Sequence, residues 1–276
     1  MPAQFRLSRL FFNSSLPIAE KIMKKEDFPY QYDFDPQHCV RSYRQIIKSP
    51  DLISFQVKEK DSDLLIQAPL LLQREALLSL RYYRTILEDY IRQNPLFKTT
   101  LTPYPPDDSV HPMLKEMIAA STKCQVGPMA SVAGCIAQYV AQSLLSSTDE
   151  IIIENGGDLY LKSPTSRKVI IYAGSSPLSN KLYLKIDFHK TGMGVCTSSG
   201  TVGPSFSRGK ADAVTVLSHS ATLADAAATA IGNIIQTSAD IKKGLNMAQT
   251  IDGIIGVVII KDDRVGLWGE IDYGLT

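Results

Sequence analysis

Residues 54–68, SFQVKEKDSDLLIQA, set the strand formers Val57, Leu64 and Ile66 on either side of a polar break at Lys60, Asp61 and Ser62. That pattern predicts a β-hairpin. Across 74–93 the period changes, with Leu77, Leu80, Tyr83, Leu87 and Tyr90 or Ile91 recurring at three to four positions. This predicts an amphipathic helix, ended at Asn94-Pro95 because the residue before proline is driven out of the helical region. Arg81 and Arg84 read as its solvated face. After a proline-rich loop at 101–112, in which His111 reads as a surface residue, 113–122 predicts a short helix. A turn at Gly127-Pro128 leads into a small, apolar run at 129–145. Ala130, Ala133, Gly134 and Ala137 leave one side of that run almost bare, open to another backbone, to a flat ligand, or to tight packing against a sheet.

EIIIENGGDLYLK, at 150–162, predicts a buried strand, a tight turn at Asn155-Gly156-Gly157-Asp158 and a partner strand. Further strands are expected at 168–173, 182–188 and 212–218, and 192–205 reads as a hydroxyl- and glycine-rich loop after a short strand, one that either turns the chain or binds phosphate. The Ala-rich stretch 218–233 predicts a buried helix and 238–248 an amphipathic one. A closing hairpin at 254–271 turns at Asp262-Asp263, with Trp268 at the core or its rim. Strands and helices come in blocks and hairpins, without regular βα alternation, so the expected class is α+β with largely antiparallel or mixed sheets packed with helices. Residues 1–40 lack a period and read as a poorly ordered or extended segment, with 41–276 as a single domain whose regular structure starts near Tyr43.

With 29 basic against 28 acidic residues, the formal charge of +1 leaves no surplus for gripping a phosphate backbone, which argues against nucleic acid as a partner. No apolar run reaches the length of a membrane span, since 254–260, IIGVVII, is strand-sized. MPAQFRLSRLFF carries Arg6 and Arg9 like a leader, yet lacks a continuous apolar core and a small-residue cleavage site. Cys39, Cys124, Cys135 and Cys196 form no CxxC pair, so buried free thiols in a reducing cytoplasm are expected.

The sharpest candidate chemistry lies at 218–233. Asp225 and Thr229 are four apart on a predicted helix and share one face, where a carboxylate and a hydroxyl can hold a hard cation such as Mg²⁺. Thr222 and Asp225 equally fit the spacing of a capping box. The glycines at 156 and 157, beside Asn155 and Asp158, suit a tight hairpin and can also offer backbone N–H groups to a ligand.

Taken in order, GPMA, ENGGD, CTSSG and VTVLSHSATLADAAATAIG resemble the ApbE-like superfamily, over roughly residues 127–232. That resemblance implies a flavin-binding fold whose transferases move FMN from FAD to a protein hydroxyl with Mg²⁺, releasing AMP. It implies Asp225, Thr229 and the Ala130 carbonyl as metal ligands. It also implies Asn155, Gly156, Gly157 and Asp158, with Thr197, Ser198, Ser199 and Gly200, as the flavin site, and a flavoprotein as target. The chain departs from the transferases at 201–214, TVGPSFSRGKADAV, which lacks their His and Asp-Pro-x-Thr-Gly box, and at Ser131, where they carry lysine. The pattern is nearer to a UPF-type branch lacking that box. Arg208 and Lys210 are then the substitute phosphate partners and His219 the substitute base. Two other functions stay open: a non-catalytic module binding another metabolite or a protein, and a Mg²⁺-dependent FAD diphosphatase.

Overall fold

The computed structural model describes residues 18–27, 49, 51–187, 192–202 and 207–276. Cys39, the leader-like start, the expected onset near Tyr43, Phe188 and the Gly203-Pro204 part of the hydroxyl-rich stretch lie outside the described residues.

The chain opens with β1 (Ile18–Lys24), then the hairpin β2 (Ile53–Glu59) and β3 (Ser62–Ala68), where Lys60 takes the left-handed conformation in the turn. Three helices follow, α1 (Gln73–Gln93), α2 (Pro95–Thr99) and α3 (Pro112–Cys124), and a 3₁₀ turn at Pro128–Ser131 runs into α4 (Val132–Leu144). Next come β4 (Ile151–Asn155), β5 (Asp158–Lys162), β6 (Arg167–Ile170), β7 (Leu182–Ile186), β8 (Met193–Ser198) and β9 (Ala213–Ser218). The chain ends with α5 (Ala221–Ile234), α6 (Ile241–Thr250), β10 (Ile254–Lys261), β11 (Arg264–Gly269) and β12 (Asp272–Leu275).

Nine strands form one sheet in the order β1-β11-β10-β9-β8-β5-β4-β3-β2, and β12-β7-β6 form a second. Every pairing is antiparallel. The α+β class therefore holds. Alternation along each strand sorts the side chains into two cores. Ile151 and Ile153 join the helices in one, while Ile152 turns to the other, which also holds Leu182 and Leu184 of the small sheet. The result is three layers, helices over the large sheet over the small one.

Several expectations need correction. Residues 192–198 were expected to be largely loop, but Met193–Ser198 is an interior strand between β5 and β9, because its small residues let α5 lie directly on it. A Cβ on Gly194 would come within 2.3 Å of the Ala221 Cα. Ile18–Lys24 adds an edge strand to β11 within the opening segment. His111 is no plain loop residue: its Nδ1 accepts from Met113 N at 3.2 Å and caps α3. Arg84 is not solvated, with its side chain only 13% exposed, whereas Arg81 is at the surface beside Glu59.

In the helical layer α4 and α5 cross in close contact. A Cβ on Gly134 would stand 2.4 Å from the Ala221 carbonyl oxygen and 2.9 Å from Asp225 Cβ. Of the uses open to the bare side of α4, close approach of another backbone is the one this glycine serves. Gly134→Ala should destabilise the fold by about 1–3 kcal/mol, because overpacking outweighs the roughly 1 kcal/mol that alanine gains as a helix former. A lower urea midpoint with an unchanged slope is the expected result.

Candidate functional site

Asp225 lies buried in the middle of α5. Its Oδ2 accepts from Gly134 N at 2.9 Å, so the carboxylate of one helix caps the first turn of another. The reverse contact exists too. Gln138 of α4 accepts through Oε1 from Ala221 N at 2.7 Å, at the first turn of α5. The capping box read from Thr222 and Asp225 does not form: Ser220 is the N-cap, accepting from Leu223 N at 3.0 Å, and its hydroxyl donates to Glu116 Oε1 at 2.6 Å. Thr222 Oγ1 is buried without a hydrogen-bond partner among the described residues.

The β4–β5 turn packs against the same place. Gly156 and Gly157 hold φ of +70° and +104°, the left-handed geometry a two-residue hairpin turn requires. Asn155 Nδ2 donates to the Ala133 carbonyl at 3.0 Å, tying the turn to α4, and Gly157 N donates to Glu154 Oε1 at 2.8 Å. Asp158 Oδ1 accepts from Thr197 N at 3.1 Å, tying it to β8. Four stretches far apart in the chain thus meet around Asp158 and Asp225.

The electrostatics are unusual. Burial pushes the Asp225 carboxyl up to about 7, against the opposing effect of the Gly134 and Ala133 amides. Burial first, and then the neighbouring Asp225 charge, push Asp158 well above the ordinary carboxylate range, while the Thr197 amide opposes. No ion pair reaches either acid among the described residues. Burial likewise raises the thiols of Cys135 and Cys196, and that of Cys124 to about 12; all three are free and buried, as expected.

The predicted residues divide. Thr229, one turn beyond Asp225, is half-buried, and Ala130 is half-buried in the 3₁₀ turn that packs on α5. Thr197 Oγ1 pairs with Thr215 Oγ1 at 2.9 Å inside the sheet. Ser199 Oγ accepts from Thr201 N at 3.1 Å and Val202 N at 3.0 Å, and Gly200 N donates to the Ala211 carbonyl at 2.8 Å, so both shape the loop. Ser198 stands beside Gly232, with its Oγ 3.5 Å from where a Cβ on that glycine would be. His219 is exposed ahead of the N-cap, its Nδ1 3.4 Å from the Gly192 carbonyl. It stands two positions ahead of the first residue of α5 and six positions before Asp225. Arg208 and Lys210 sit at the opposite end, where Arg208 N donates to Asn233 Oδ1 at 2.9 Å and Lys210 N to the Ile235 carbonyl at 2.7 Å. The α5 C-terminus carries partial negative charge, a better neighbour for these cations than for a phosphate.

Sequence reasoning missed Arg84, which lines a cavity of about 450 Å³ beside Ala133 and Asn155. The Arg84/Glu88 spacing of four was the available signal, and the two side chains do bond at 2.8 Å. Among the described residues no helix is long and apolar enough to cross a membrane.

An α+β protein of three layers, with paired buried carboxylates beneath a glycine turn, is thus defined by its fold and site. The family model described as AbpE bacteria matches residues 44–259. A UPF0280 protein of Methanothrix thermoacetophila is 44% identical over 192 residues, covering 68% of this chain and 79% of its own. A UPF0280 protein of Methanosarcina acetivorans is 34% identical over 238 residues, covering 86% and 93%. The solved flavinyl transferase ApbE of Pseudomonas stutzeri, in its apo form, aligns with a TM-score of 0.48 at 13% identity, over 82% of this chain and 94% of that one. The chain belongs to the AbpE bacteria family, in the UPF0280 branch of the ApbE-like superfamily.

A carboxyl raised on folding binds its proton more tightly in the folded state, so its effect on stability is most favourable below the unfolded value and is lost as pH rises through the folded one. For Asp225 that window runs from 3.8 to about 7. In chelated buffer, urea midpoints should therefore fall across this range, and Asp225→Asn, which keeps an acceptor for Gly134 N, should flatten the fall. Asp225→Ala, which leaves the buried amides unmatched, should cost about 1–3 kcal/mol at the acid end of this range, and less as pH rises and the wild-type chain loses the stability that the protonated carboxyl contributes.

Proposed function

We propose that the chain binds a flavin nucleotide against the 155–158 turn, with a hard cation such as Mg²⁺ held by Asp225, Thr229 and the Ala130 carbonyl. The observation that carries this reading is the buried pair Asp158 and Asp225, near enough that the Asp225 charge raises Asp158, with no ion pair to either acid among the described residues. A divalent ion would relieve that repulsion. No three His, Cys, Asp or Glu side chains converge as a metal group among the described residues, and the donors proposed are instead a carboxylate, a hydroxyl and a main-chain carbonyl, oxygens of the kind magnesium takes. Asp225 keeps its Oδ2 bond to the α4 amide and offers the other oxygen, while Thr229 makes no hydrogen bond among the described residues that would compete.

A cation bound there would offset the charge of a diphosphate and act as a Lewis acid. The chain's own part is positional. The left-handed glycines at 156 and 157 let a flat ring approach the backbone, since a Cβ on Gly156 would meet nothing within 4 Å. Asn155 and Asp158 hold that turn to α4 and β8. Transfer of FMN from FAD to a protein hydroxyl is the extended form of this reading, and attack by water in place of that hydroxyl gives the diphosphatase. A second reading, binding without transfer, is favoured by the position of His219 at the exposed start of α5, away from the acids.

Flavin fluorescence titrations of the full chain should show FAD binding that tightens with Mg²⁺. Asp225→Asn should remove the metal dependence, and Thr229→Val should weaken it. FAD affinity indifferent to Mg²⁺ in the wild-type chain, or unchanged in Asp225→Asn at limiting Mg²⁺, would refute the metal assignment. Release of AMP from FAD separates turnover from binding, and appearance of flavin on an added protein separates transfer from hydrolysis.

A further inference from the structure

α1, the β2–β3 turn and the start of α4 line the half-open cavity of about 450 Å³ that borders Ala133 and Asn155. Its charged lining is four cations, Lys60, Arg84, Arg92 and Lys98, against two carboxylates, Asp61 and Glu88. In a chain whose formal charge is +1, this is a local concentration of positive charge. The pairing inside it is incomplete. Glu88 bonds both Lys60 and Arg84, Arg92 pairs with Asp89, and Asp61 stands 3.9 Å from Arg84 in full solvent. Lys98 makes no ion pair or hydrogen bond among the described residues.

Arg84 supplies the second, independent observation. Its Nη1 donates to Ser62 Oγ at 2.6 Å and its Nη2 to Glu88 Oε1 at 2.8 Å, which orient the guanidinium from two sides. Its Nε–H is buried and has no partner among the described residues. That atom is sealed from the cavity, so it is the cavity-lining part of the guanidinium, held in place by Ser62 and Glu88, that can receive an oxyanion. The α4 amides do not compete for that role, because Gly134 N is already bonded to Asp225. On the wall, Leu87, Ile91, Met129 and Ile136 give a sugar or ring an apolar surface. Arg208 and Lys210, the cations expected from sequence, are at the far end of α5 and cannot serve this cavity.

We infer that the cavity is a phosphate subsite, in which Arg84 and Lys98 hold the phosphoryl groups of a nucleotide whose other end reaches the 155–158 turn. Lys60 and Arg92 add charge at its mouth. The inference rests on the nucleotide reading for what fills the site, and on the cavity itself for where the phosphates lie. Ala133 and Asn155, shared by cavity and turn, make the two regions continuous.

Calorimetric titrations of the full chain with FAD, with riboflavin, which has the ring and no phosphate, and with inorganic pyrophosphate test it at fixed Mg²⁺. Lys98 is exposed, so Lys98→Glu should fold, and it should weaken FAD and pyrophosphate by about tenfold or more, the loss of one charge-assisted contact, while riboflavin is unchanged. Arg84→Met should act in the same direction, and Lys243→Glu, the same charge change on α6, should leave all three ligands as in the wild-type chain. Pyrophosphate binding that depends on Lys98, with neither flavin bound, would support the subsite and sink the flavin reading. FAD bound equally by the wild-type chain and Lys98→Glu would sink the subsite and leave the flavin reading standing. Parallel loss of riboflavin and FAD in Lys98→Glu would overturn the subsite, as would failure of all three ligands to bind the wild-type chain.

Discussion

The site depends on one close crossing, that of α4 over α5 at Gly134. Neither helix supplies all of its own capping there. Ser131, at the α4 N-cap, makes no side-chain cap bond and donates its hydroxyl to the Pro128 carbonyl; Asp225 of α5 takes the Gly134 amide. Gln138 of α4 in turn serves the first amide of α5. Such reciprocal capping works only where the backbones nearly touch, which glycine at 134 and alanine at 221 permit. Any side chain at 134 would lift the helices apart and leave amides on both unmatched.

The same crossing sets the charge of the site. Burying Asp225 to cap a helix brings it beside Asp158, itself buried to tie the 155–158 turn to β8. Two buried acids that each serve a backbone amide are thereby held near one another, and both are driven toward their protonated forms. On the α1 side of α4 the arrangement inverts, with Arg84 and its neighbours around a cavity. Acids on one side of a helix terminus and cations on the other form an electrostatic gradient across a few residues, a suitable environment for a ligand that is anionic at one end and accompanied by a metal at the other.

Much of this architecture could be read along the chain. Hairpins at 53–68, 151–162 and 254–269 declare themselves by strand-forming runs broken at Lys60-Asp61, Gly156-Gly157 and Asp262-Asp263, because turn chemistry is local. α1 and α5 were equally plain from their periods. β8 was not. Met193–Ser198 is too rich in glycine, serine and threonine to look like an interior strand, and it is one because α5 needs a nearly bare surface to lie on. Arg84 was misread for a related reason: helical spacing tells which residues share a face, not what packs over that face.

Asp225, Thr229 and the glycine turn stood out as candidate chemistry before any contact was known, since residue type and spacing of four or fewer positions are properties of the chain alone. What those residues do with their hydrogen bonds was not available at that level. That Asp225 caps α4 and not its own helix, that Thr197 turns its hydroxyl to Thr215, and that His219 and Arg208 stand at opposite ends of α5 are all outcomes of long-range packing. Local pattern encodes which elements form and which side chains they carry; the partners of those side chains come from segments about 20 to 90 positions distant, brought into contact by burial of the two cores.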